Sequence, residues 1–439
     1  MDAVVKINAV ERALAGQFGE AAPALPGGAA AASIRSRAFA AFERQGLPHR
    51  RIEDWKYTDL RGLIREAYAP ASAPDKAALL RAAKAIKADG VDGTRKLVLV
   101  DGLFQAELSD LSRLEGGLSI APLATALAAD ARLLRTEAAD DANAVVALNS
   151  AFARDGVVIA LADGASLSRP LHIVHVMTSA TSASAYTRAH IRVGAKASLT
   201  LVESFISATD AAYQVNDSVF VTAGDGARLD HIRLMEDGAD AFNLSALDVE
   251  LGKDAALNTF NLTSGAAVSR YQLNLRFAGE GARAETFGVN LLRAAQHGDS
   301  TLVVDHAVPG CMSRETFRSV LDDRARSVFQ GRIIVRPDAQ KTDGKMMTRA
   351  LLLSEDAEAD HKPELEIFAD DVTCGHGATT GALDEDLLFY LRARGLPERE
   401  AEALLIQAFV GEAIEAIVDE KLRDAALAAA DRWLKERAR

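Results

Sequence analysis

Residues Gly331–Gly381 read GRIIVRPDAQKTDGKMMTRALLLSEDAEADHKPELEIFADDVTCGHGATTG, and their reading decides the fold. Short β-prone runs, Arg332–Val335, Ala350–Leu353, Leu365–Phe368 and Val372–His376, alternate with polar turn clusters, which is the pattern of a train of strands. One of the two cysteines of the chain, Cys374, lies in a Cys-Gly-His triplet with His376. On an extended segment, alternation sets Cys374 and His376 on one face and Gly375 on the other. A thiolate and an imidazole on one face can hold a transition metal or receive sulfur. The plain structural alternative is a cysteine that packs as a small apolar residue.

The same character extends upstream to about Val145, through Gly156–Leu161, Leu171–Met177, Ala189–Val193, Ser198–Ser204, Ser218–Thr222 and Leu229–Met235. A turn followed by alanine recurs along this region, aligning Ala165, Ala197, Ala227, Ala255, Ala282 and, in a weaker copy, Ala325. Successive separations are 32, 30, 28, 27 and 43 residues, a near-regular period with one apparent insertion around Gln296–Arg314. Short strands and tight turns at that period predict stacked coils, a β-solenoid, with a β-sandwich as runner-up. A propeller blade needs about 40 residues or more, and leucine-rich repeats carry a leucine code that is missing here. Alanine suits a corner where coils approach closely, and glycine supplies positive φ. Unpaired strand edges at the ends of such a stack should be covered by the flanking helices.

Those flanks read as helical. Val4, Ile7, Val10, Leu14 and Phe18 have helical spacing within residues 1–22. Further helices are expected over about Ala29–Arg44, Asp75–Lys87 and Leu118–Leu134, with a short strand at Lys96–Val100. Within Arg51–Leu60, RIEDWKYTDL, Trp55 and Tyr57 read as packing anchors for those helices. After Gly381 the pattern is helical again: Asp384 caps one helix, Gly395 ends it, and Pro397 opens another. Leu404, Leu405, Phe409 and Val410 belong to an apolar arc running to Ile417, too wide for one covered face, so part of it is expected to dock a partner. The tail, Lys421–Arg439, reads as a charged amphipathic helix.

A chain of 439 residues, 49% hydrophobic and 26% charged, has the composition of a soluble globular protein. Its net charge of −12 argues against a broad nucleic-acid or anionic-membrane footprint. No run approaches a membrane span, Met1–Gly19 lacks signal-peptide order, and two cysteines make no disulfide framework, so a cytoplasmic setting is expected. No Gly-x-x-x-x-Gly-Lys-Ser/Thr, Cys-x-x-Cys, His-Glu-x-x-His or Gly-x-Ser-x-Gly occurs, so this chain alone should bind and hydrolyse no nucleotide. His172 and His175 fall on opposite faces of a strand, a poor metal pair, and His361 reads as a solvated loop residue.

The segments RIEDWKYTDL, LLLSEDAEADHKPELEIFADDVTCGHGATTG and LFYLRARGLPEREAEALLIQAFVGEAI, in order along the chain, resemble the SufD-type subunits of the SufBCD iron–sulfur cluster assembly complex. The resemblance implies a mainly β protein: a right-handed parallel β-helix core (146–381) between an N-terminal helical domain (1–145) and a C-terminal helical domain (382–439). It implies a non-catalytic scaffold that pairs with a SufB-like subunit through the β-helix. Its C-terminal helices would bind a SufC-like ATPase, which fits the missing P-loop. By motif, His376 would serve the transient iron–sulfur cluster shared with the partner, with Cys374 as accompanying thiol. No cysteine occurs in Met346–Leu353, so the sulfur-accepting thiol is expected on the partner. Whether Cys374 is a ligand or packing, and whether isolated copies pair with each other, stay open. The alternative class is a β-helix enzyme or binding protein acting on an extended polysaccharide. Against it stands an aromatic content of 5%, low for a sugar-stacking platform.

Overall fold

The computed structural model describes residues 8–134 and 143–437. Helices α1 (Ala9–Ala21), α2 (Gly28–Gln45), α3 (Leu60–Leu63) and α4 (Lys76–Ala88) come first. Asn8 and Glu11 cap α1 reciprocally, and the Asp75 side chain accepts from the Ala78 amide at the start of α4. Of the residues expected on the first amphipathic helix, Val4 and Ile7 lie outside the described residues. Strands β1 (Arg95–Val100), β2 (Leu103–Phe104) and β3 (Leu118–Pro122) and helices α5 (Leu123–Ala126) and α6 (Ala144–Phe152) lead into the repeat. The helix expected over Leu118–Leu134 is therefore corrected. Leu118–Pro122 pairs antiparallel with Val157–Leu161, and a sheet partner outweighs the modest helical propensity of a short run ending at proline.

From there the chain alternates between two sheets. One receives β4 (Asp155–Leu161), β6 (Ala183–Val193), β8 (Tyr213–Ala223), β10 (Phe242–Leu251), β12 (Val268–Phe277), β14 (His297–His306), β16 (Arg326–Val335) and β18 (Glu358–Ile367). The other receives β5 (Leu171–Met177), β7 (Ser198–Ser207), β9 (Arg228–Glu236), β11 (Ala256–Thr263), β13 (Arg283–Leu292), β15 (Met312–Leu321), β17 (Asp343–Leu352) and β19 (Thr373–Gly381). With β3 the first sheet has nine strands, and with β1 and β2 the second has ten. All ladders from β4 and β5 onward are parallel and rise coil by coil, so the core is a parallel β-helix. Only β2 and β3 join antiparallel, at the N-terminal end of the stack.

The alanine corners stack. Backbone amides of Arg228, Ala256 and Arg283 donate to the carbonyls of Ala197, Ala227 and Ala255 at 2.9, 2.8 and 2.9 Å. Immediately before each corner residue the backbone is left-handed, at Gly164, Lys196, Gly226, Asp254, Gly281, Gly310 and Lys341, with φ between 53° and 72°. Glycine takes that conformation freely, which explains its recurrence there. The sixth alanine is corrected: the residue above Ala282 is Cys311, whose carbonyl accepts from Asp343, and Ala325 belongs to the opposite corner, where its carbonyl accepts from Glu358. The steps from 282 to 311 and on to Thr342 are 29 and 31 residues, so the period is unbroken and no insertion exists at Gln296–Arg314.

Helices α7 (Glu385–Ala393), α8 (Glu398–Ile414) and α9 (Glu420–Arg437) complete the chain. Ile406, Val410, Ile414 and Trp433 pack on Ile232, Phe260, Leu291 and Val320 of the ten-stranded sheet. Each such residue fully buried contributes about 1.5–3 kcal/mol. Helices α1, α2 and α6 cover Tyr186 and Leu244 of the nine-stranded sheet. The expectation that helices cap the ends is thus corrected. They lie along the sheet faces, whose outward apolar residues offer far more area than one coil's edge, and the outer edges of β18 and β19 stay free among the described residues.

Candidate functional site: the open last coil

β19 is the last strand of its sheet, and its register fixes where the Cys-Gly-His triplet points. Cys374 pairs with Gly344 and His376 with Met346. Met346 is buried in the interior of the β-helix, so both Cys374 and His376 are directed toward that interior at its uncovered end. His376 continues an inward ladder that runs through His231, Thr259, Thr286, Glu315 and Met346. With no further coil above it, the His376 ring is exposed.

Cys374 is half-buried against the apolar core. Burial, with the charges of Asp343 and Glu315, pushes its thiol above the ordinary value despite a hydrogen bond from the Gly344 backbone, so near pH 7 it is a thiol. Protonated and packed, it is a weaker nucleophile than the triplet alone suggests. Gly375 faces outward with open space around its Cα, and at Gly377 a Cβ would meet Met347 at 2.7 Å.

The structure corrects His361. It lies on β18, not in a solvated loop, and its register with Phe329 turns it inward. Its Nδ1 is 3.0 Å from the Thr348 hydroxyl, and its Nε2 is buried without a hydrogen-bond partner among the described residues. Burial lowers its pKa. Pro363 and the poor alternation of EADHKPELEI disguise this segment as a loop; an edge strand tolerates proline because one side of its backbone has no ladder to make. The mouth of the last coil therefore presents three side chains, Cys374, His376 and His361. Among the described residues they do not close into a three-ligand set. Ile367 and Phe368, 41% and 60% exposed, add apolar surface at the adjacent corner.

The docking candidates separate. Val410 is 1% exposed and closes the core under α8, so it meets no partner in this conformation. Phe409 is half-buried beneath the Arg318 guanidinium, 4.8 Å from the ring centre, and Leu405 is half-buried. Leu404 is 46% exposed. The sequence reading passed over α7, where Leu387, Phe389 and Tyr390 are 51%, 74% and 54% exposed on one short helix with no buried residue. The signal was present as LLFYL, but a helix flanked by a cap and a glycine reads equally well as buried.

RIEDWKYTDL straps the N-terminal helices to the β-helix. The Asp54 carbonyl accepts from Arg270 at 2.8 Å and from Gln330 at 3.2 Å, Glu53 pairs with Lys362, and the Thr58 hydroxyl lies 2.9 Å from His297 Nε2. These contacts reach across β12, β14, β16 and β18, up to the last coil. His172 and His175 do face opposite sides of β5: His172 bonds Thr94 and Ser204, and His175 turns into the β-helix. No helix among the described residues is long and apolar enough to cross a membrane.

Fold and site together define a parallel β-helix protein with helical flanks and an open, thiol- and imidazole-bearing terminal coil. The family model described as the SufBD core domain of SUF system FeS cluster assembly matches residues 175–409, and that of the SufBD N-terminal region matches residues 28–173. The chain belongs to the SufBD family of iron–sulfur cluster assembly proteins. It is 32% identical to the iron–sulfur cluster assembly protein SufD of Escherichia coli K12, over 88% of this chain and 89% of that one. A SufBD family protein of Synechocystis is 31% identical over 84% of each chain, and SufD of Bacillus subtilis is 27% identical over 67% of this chain and 68% of its own. The chain is a SufD homologue.

Proposed function

We propose that this chain is a non-catalytic, cytoplasmic scaffold subunit of a SufBCD-type complex, and that its last coil faces a SufB-like partner. The observation that carries the reading is the pair of free edges on β18 and β19, flanked by exposed Ile367 and Phe368 and by an inward-pointing His376. A free strand edge is a template for pairing with another chain. A nascent iron–sulfur cluster is the cargo. His376 offers an imidazole, a good ligand for iron, while the other ligands and the sulfur-accepting thiol come from the partner. Cys374 is a second ligand only where cluster loading lowers its raised pKa; otherwise it packs the end of the core.

The ATPase subunit would dock on the C-terminal helices, at α7 and Leu404 rather than at Val410. The proposed domain division follows: residues 1–145 as the N-terminal unit, 146–381 as the β-helix, and 382–439 as the ATPase-docking unit. The test is co-expression of this chain with SufB-like and SufC-like subunits, anaerobic purification, and an absorption spectrum. The reading expects a three-subunit complex with iron–sulfur bands that disappear when this chain is omitted. A complex that forms and loads equally well without it would overturn the reading.

A further inference from the structure

The interior of the β-helix carries a polar cluster remote from the open coil. His175 on β5 and Glu203 on β7 project inward from the ten-stranded sheet, and Asp217 on β8 projects toward them from the nine-stranded sheet. One ligand atom from each, an imidazole nitrogen and two carboxylate oxygens, lies within 4.8 Å of the others. Three ligands that share one transition-metal ion at about 2.1 Å lie about 3.4–3.6 Å apart, so the set would draw in by up to about 1.4 Å to close around an ion.

Two atoms of the cluster are buried with nothing to bond: His175 Nε2 and Glu203 Oε1 have no hydrogen-bond partner among the described residues. All three residues are at least nine-tenths buried. An unpaired polar atom inside a protein costs about 1–3 kcal/mol, and two such atoms in one cluster call for an explanation. The remaining atoms are held as supporting contacts hold metal ligands. Glu203 Oε2 lies 2.7 Å from His231 Nε2, whose Nδ1 is 2.8 Å from the Thr259 hydroxyl. The Thr187 hydroxyl donates to Asp217 Oδ1 at 2.5 Å. The His175 ring is fixed by stacking on Phe205, centroids 4.3 Å apart and nearly parallel. Burial keeps this imidazole neutral, down to about 4, which is the ligating form.

The charges agree. Arg233 lies in this interior with Glu203, Asp237 and Asp217 acting on it, so full ionisation of the three carboxylates would leave two negative charges in excess of its one positive charge. One divalent ion would balance both charges.

We propose that His175, Glu203 and Asp217 form a buried structural site for one divalent first-row transition cation, taken up as the β-helix closes. One nitrogen and two oxygens suit iron(II), manganese(II) or zinc(II). The site ties β5, β7 and β8 together and is separate from the cluster chemistry at His376.

The experiment expresses the full chain alone in medium supplemented with zinc, manganese or iron and measures metal by mass spectrometry. It also refolds the chain with cobalt(II) and records ligand-field absorption. Expected are about one equivalent of metal and a cobalt spectrum, both retained in His376→Ala/Cys374→Ala and both lost in Glu203→Gln/Asp217→Asn. A wild-type chain that stays empty in every metal and gives no cobalt spectrum overturns the proposal, whatever the variants do. Metal retained by Glu203→Gln/Asp217→Asn, or lost from His376→Ala/Cys374→Ala, overturns it as well. If Glu203→Gln/Asp217→Asn does not fold, His175→Gln replaces it, with the same loss expected.

Discussion

The guanidinium of Arg270 lies over the indole of Trp55, 3.8 Å from the ring centre, and the same guanidinium pairs with Asp299 and donates to the Asp54 carbonyl. Arg270 belongs to the β-helix and Trp55 to the N-terminal segment, so one stacked pair couples the two. A buried cation–π contact is worth about 2 kcal/mol, and Trp55 also fills the core between α1, α2 and α3.

Trp55→Ala should therefore cost about 3–5 kcal/mol. The loss should be uneven: faster amide exchange and proteolysis over residues 8–64, with the β-helix still protected. Unchanged exchange over that segment would show that the strap does not depend on the stack.

His376→Ala should leave folding and complex formation intact, because the ring is exposed and no coil packs above it. Iron and acid-labile sulfide in the anaerobically purified complex should fall several-fold. Cys374→Ala should lower them less, and should cost about 1 kcal/mol of chain stability, since this thiol packs against the core. Equal metal and sulfide content in wild type and His376→Ala would move the cluster site wholly onto the partner.

Much of the fold was legible because a stacked coil writes its period into the chain: Ala197, Ala227, Ala255 and Ala282 occupy one corner, and a left-handed residue precedes each. Ala325 misled because the two corners of a coil make similar demands, and Cys311, small and apolar, stood in the alanine column without looking like alanine. The face shared by Cys374 and His376 followed from alternation alone. That this face is the interior of the last coil did not, since it depends on what Gly344 and Met346 do one strand away. The cluster of His175, Glu203 and Asp217 had no local signal at all: its members come from three strands in two sheets, and only the register brings them together.

The surface of the C-terminal helices supports a graded set of substitutions. Phe389→Asp and Leu404→Asp put a charge where the free chain is already solvated, so thermal stability should stay within about 0.5 kcal/mol. Binding of the SufC-like subunit in a pull-down should drop at least tenfold for Phe389→Asp, because an unpaired charge in an interface is expensive. Val410→Asp should instead destabilise the chain itself by several kcal/mol. Wild-type pull-down by both Phe389→Asp and Leu404→Asp would remove this surface from consideration.

Glu315 is the last expectation. It points into the β-helix one rung below Met346 and two below His376, is 1% exposed, and has no hydrogen-bond partner for either carboxylate oxygen among the described residues. Burial pushes its pKa from the ordinary 4.5 up to about 8. A carboxyl raised on folding holds its proton more tightly in the native state. The contribution of Glu315 to stability is therefore greatest below pH 4.5, falls as pH rises toward 8, and levels off above it. That interval, at about 1.4 kcal/mol per pH unit, sets a ceiling of about 5 kcal/mol on the loss. Glu315→Gln keeps the shape and can never ionise, so it should match wild type near pH 5 and exceed it increasingly from pH 6 to 8. Denaturant unfolding of both proteins across that range measures the gap. A gap that does not change with pH, or a variant less stable throughout, would mean that Glu315 is ionised in the native chain and stabilised by a group not yet recognised.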